Sequence, residues 1–77
     1  MRLITFTSKD TDVSFNPKSI HSLERHRDDS ILVSVGLGIN SMNYILIVKD
    51  PKKEIQGIRN FCLSNTKGEY IIAPRED

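Results

Sequence analysis

Between Ile31 and Val48 the chain reads as two apolar runs divided by a polar pair, and no other stretch restricts the fold so tightly. Ile31, Val33, Val35, Leu37 and Ile39 fall at strict alternate positions, the period of a strand with one side in a core. Asn40 and Ser41 then serve as a two-residue turn, and Met42 to Val48 returns as the second strand. The register that follows sets Ile39 opposite Met42, Leu37 opposite Tyr44, Val35 opposite Leu46 and Val33 opposite Val48, all on one face. The second face carries Leu32, Ser34, Gly36, Gly38, Asn43, Ile45 and Ile47, with Gly36 opposite Ile45 and Ser34 opposite Ile47.

The flanking segments supply less. Leu3–Thr7 and Val13–Phe15 are β-prone runs joined by the polar turn from Ser8 to Asp12, which predicts a first hairpin. Asn16-Pro17 ends its second strand, because proline offers no amide hydrogen to a ladder. Ile20 and Leu23, three apart, suit either one helical turn or an extended segment interrupted by a bulge, the extended reading being favoured, and Glu24 to Asp29 is almost wholly polar and is expected as a surface connection. Asp50-Pro51 is a helix start, the carboxylate capping free amides and proline taking the first helical position. A helix from Pro51 to about Leu63 puts Ile55, Ile58, Phe61 and Cys62 on one stripe, which should cover the sheet. Gly57 inside it costs about 1 kcal/mol relative to alanine and marks close approach of a neighbouring element. Glu69 to Ala73 predicts a last strand, stopped by Pro74.

The expected fold is therefore α+β: a single domain over residues 1–77, with a mainly antiparallel sheet of four to six strands and one helix packed on it. A chain of 77 residues buries only about 60% of its unfolded surface, so burial against a second copy is an evident source of added stability. Eleven Lys and Arg against ten Asp and Glu give a net charge of +1, far from the field of a dedicated nucleic-acid binder. The single cysteine, Cys62, cannot form an internal disulfide, and no run reaches the ~20 apolar residues of a membrane span. A cytoplasmic protein without membrane attachment is expected.

Chemistry-bearing patterns are sparse. His21 and His26 are not spaced to share one side of a strand or helix, and no cysteine pair or carboxylate cluster adjoins them as in a metal site. Cys62 shares an apolar stripe and reads as core rather than nucleophile. The Asp28-Asp29 and Glu76-Asp77 pairs read as solvating groups, and Gly36-Leu37-Gly38 lacks the rest of a nucleotide fingerprint. No catalytic residue, metal or cofactor is expected.

One helix covers one face of a small sheet, so the second face of the main hairpin is left either to curling strands or to a partner. Gly36 and Gly38 on it permit backbone approach or simply strong twist, and with Ile45 and Ile47 they form the candidate protein-binding site. The expected partners are a second copy, as a dimer, and another protein. The competing reading is a nucleic-acid site made from Lys18, Arg25, Arg27, Lys52, Lys53 and Arg59, with Tyr44 and Tyr70 as stacking platforms.

Val13 to Ile20 with its Asn-Pro turn, then Leu23-Glu24, Asp29 to Val33, a glycine, an Ile/Val strand and a helix together resemble small bacterial proteins of the flagellar FlbD type. The likeness spans about two-thirds of the chain. The connection after Val35 is longer here, and the strand from Glu69 to Ala73 has no counterpart. The resemblance implies a small non-enzymatic accessory module and assigns no site residue.

Overall fold

Among the described residues six strands and one helix enclose the core, and the strands divide between two sheets rather than lying in one. The computed structural model describes residues 2–37, 39–64 and 67–75. In chain order these form β1 (Arg2–Thr7), β2 (Asp12–Phe15), a 3-10 turn (Pro17–Ser19), β3 (Ile20–Arg27), β4 (Ser30–Leu37), β5 (Asn40–Ile47), α1 (Pro51–Leu63) and β6 (Gly68–Ile72). The first sheet has the order β2-β1-β6, with β6 parallel to β1, and the second is the antiparallel β3-β4-β5. They meet where Val48 bridges Pro74 and Lys49 N–H donates to the Ala73 carbonyl. Ile4, Phe6, Phe15, Ile31, Val33, Leu46, Val48, Ile58 and Ile72 fill the space between them. The first sheet is mixed because the connection through the helix brings β6 to β1 at the end where β1 begins, Gly68 opposite Arg2, so the two run parallel.

The expected helix forms over Pro51–Leu63, with the Asp50 carboxylate accepting from Lys53 N–H at 3.3 Å. Its inner stripe is Ile58, with Ile55, Phe61 and Cys62 partly buried against the core. The Arg2 guanidinium, carried by β1, donates to the Phe61 carbonyl and sits 4.5 Å from the Phe61 ring centroid. It places a cation at a helix terminus whose own last turn has no basic residue.

Two local expectations fail. The turn of the main hairpin is not Asn40-Ser41: β4 ends at Leu37, β5 begins at Asn40, and the pairs are Ile31↔Leu46, Val33↔Tyr44, Val35↔Met42 and Gly36↔Ser41. Gly36 has φ of +146°, and a Cβ there would overlap the Asn40 carbonyl oxygen and stand 2.7 Å from Ser41 Cα, so the chain closes on itself at this residue. Gly36 therefore faces Ser41 rather than Ile45, and Ser34 faces Asn43 rather than Ile47. Gly38 lies outside the described residues. The register slips by four residues, an even number, so Ile31, Val33, Leu46 and Val48 keep the core face and Leu32, Ser34, Ile45 and Ile47 the other, while Ile39, expected on the core face, lies in the turn and is exposed. The second failure is Glu24 to Arg27, which belongs to β3 rather than to a connection; the turn is confined to Asp28 and Asp29.

Candidate functional site

Pleating assigns Ile31, Val33, Leu46 and Val48 to the core side of the β3-β4-β5 sheet and Leu32, Ser34, Ile45 and Ile47 to its outer side. The core-side residues are essentially inaccessible. On the outer side Ile45 is 54% exposed and Ile47 45%, with Leu32, opposite Ile45, half-buried. α1 lies on the core side, so nothing within the described chain covers these isoleucines. Ser34 and Asn43 close the polar part of this face with a hydroxyl-to-amide bond of 2.7 Å.

β5 is also the edge of its sheet. Its far end is tied to the segment after β6, Arg75 N–H donating to the Ile47 carbonyl and the Arg75 side chain reaching Asp29 at 2.8 Å. From Asn40 to Leu46 no other strand is paired to the outer edge among the described residues. Exposed edges are ordinarily guarded by lysine, proline or a bulge. β5 has none of these: its ladder with β4 is unbroken, and no charged residue occurs between Ser30 and Val48. That long neutral interval, in a chain that is 27% charged, is the sequence signal that alternation alone did not reveal.

The remaining candidates separate. Gly36 serves the hairpin closure described above. Lys18 is on the 3-10 turn, Arg25 and Arg27 on β3, and Lys52, Lys53 and Arg59 on α1; all six side chains are exposed, and none is in a salt bridge with a described residue. Arg59 alone bridges two elements, donating from Nη2 to the Leu23 carbonyl at 3.3 Å. The tyrosines are not free stacking platforms. Tyr44 packs edge-on against Phe15 at 5.1 Å, and Tyr70 lies 5.9 Å from Phe61 and donates its hydroxyl to Glu54 at 3.1 Å.

Glu54 was not legible as a core group. It is buried at the start of α1, where Tyr70 and, more distantly, the Ala73 amide satisfy it. Burial first, and then the adjoining carboxylate, push the Tyr70 phenol up to about 12. Burial likewise raises the Cys62 thiol, with Arg2 pulling the other way, so a reactive thiolate is disfavoured there. His26 Nδ1 lies 3.3 Å from Ser30 Oγ, and both histidines are exposed. No described helix is long and apolar enough to cross a membrane. Comparison with protein-family models, curated proteins and solved structures finds no match for the chain.

Proposed function

We propose that this protein is a small non-enzymatic interaction module that self-associates through β5 and acts by binding another protein. The observation that supports it most is the coincidence, on one strand, of an unguarded backbone edge with Ile45 and Ile47 left in solvent. Antiparallel pairing of β5 with the β5 of a second copy satisfies the open amides and carbonyls and extends the sheet across a two-fold axis. Such pairing sets the isoleucines of the two copies on a shared face. A strand with no charge meets its own copy without like-charge repulsion.

Amide hydrogen exchange tests this. In concentrated solution the outward amides between Asn40 and Leu46 should be protected as a block and should lose that protection on dilution, while β1 is unchanged. Fast exchange at every concentration would contradict the pairing.

A nucleic-acid reading has less support, because the two tyrosines are occupied internally and the six cations are dispersed over three elements. Binding that weakens steeply with added salt would restore it.

A further inference from the structure

β3 is the other edge of its sheet, and α1 runs beside it in the opposite direction: Cys62 Sγ is 4.0 Å from the Pro17 carbonyl, and Arg59 reaches Leu23. Between them lies an open cleft of about 480 Å³. One wall is the strand segment Ile20–Leu23, whose pairing with β4 shifts register between Ile20 and Ser22 and runs regularly from Ser22 to Arg25, and the other is Arg59, Cys62 and Leu63. The cleft thus offers a strand edge, an apolar floor and a guanidinium in one place.

Its charge has one sign. Glu24, the only acid of β3, pairs with Leu32 and so lies on the outer face, away from the helix. Glu54, the only acid of α1, is buried against Tyr70. Of the residues that line the cleft, Arg59 carries the charge. Arg25 lies opposite Ile31 on the helix side of β3, and Lys52 precedes Arg59 by two turns on the same side of α1. Arg59 uses one of its five donors on Leu23, leaving others for a carboxylate fork.

We propose that this cleft accepts an extended acidic peptide of a partner protein, added as a strand along β3. Its carboxylate engages Arg59, and an alternate apolar side chain rests among Ile20, Leu23 and Leu63. A peptide fits better than a nucleic-acid strand because no Phe, Tyr or Trp lines the cleft as a platform for successive bases.

The probe is a fluorescein-labelled peptide alternating glutamate and valine with a free carboxyl end, titrated into the full chain and read by anisotropy and amide shifts. Saturable binding is expected, with shifts concentrated at His21, Leu23 and Arg59. Arg59→Ala and Leu63→Glu, both at exposed helix positions, should each weaken it at least about tenfold, or ~1.4 kcal/mol. Glu24→Gln, on the opposite face, should leave it unchanged. Circular dichroism of each variant confirms the fold. Absence of binding, shifts confined to β5, binding indifferent to Arg59→Ala, or preference for a short oligothymidylate over the peptide would each overturn the proposal. Because β3 and β5 are opposite edges, these outcomes are independent of whether the chain self-associates.

Discussion

The Tyr70 hydroxyl occupies the space that a side chain at Gly57 would need: a methyl there would overlap the hydroxyl and stand 2.9 Å from Cζ. Helix propensity favours alanine over glycine by about 1 kcal/mol, yet Gly57→Ala should destabilise by about 1–3 kcal/mol through overpacking. In a Tyr70→Ala background the same change should become neutral or stabilising. Urea denaturation of the four proteins measures the coupling, and simple additivity would show that the ring does not dictate the glycine.

The phenol and Glu54 make a second prediction. Tyr70 holds its proton more tightly folded than unfolded, so its contribution is fully present below the ordinary value of 10.0 and is lost as pH rises through about 12. Stability should therefore fall across that alkaline window, and Tyr70→Phe should flatten the slope there. Tyr70→Phe should also cost about 1–3 kcal/mol near neutrality, because it leaves the buried Glu54 carboxylate short of a donor. Parallel alkaline slopes in the two proteins would contradict the assignment.

Arg2 provides a third. Its cation serves both the Phe61 carbonyl and the Phe61 ring, so Arg2→Ala should lower stability by about 1 kcal/mol, and Arg2→Lys should recover only part of it. A shift in the urea midpoint confined to background would remove the capping role.

Much of the fold was legible in the residues, for reasons that also explain the failures. Asp50-Pro51 carries its own stereochemistry, so the helix begins where the sequence places it. Gly57 is a local cost inside a helix, which pointed directly to a close neighbour. Strand faces survive an even register slip, so Ile45 and Ile47 were placed together on the hairpin's second face although their partners were not correctly assigned, and whether that face lay open was left undecided. The turn was misplaced because the decisive property is the positive φ of Gly36, and alternation cannot display a backbone angle. β3 was cut short because its side chains from Glu24 to Arg27 are all exposed. An edge strand held mainly by its ladder leaves no hydrophobic period to read. The β3–α1 cleft was invisible for the same reason: only the helix beside that ladder brings Arg59 to the Leu23 carbonyl and closes a cleft lined by both elements.

The most direct test of self-association is solution mass by sedimentation equilibrium, for the wild type and for Ile45→Asp. Ile45 is solvent-facing, so the substitution leaves the core intact while putting like charges across the two-fold axis. The wild type is expected to approach twice the 8.8 kDa chain mass as concentration rises, and Ile45→Asp to remain at the single-chain value. A wild type that stays at 8.8 kDa up to about 1 mM, the range of the weakest specific complexes, would contradict the dimer.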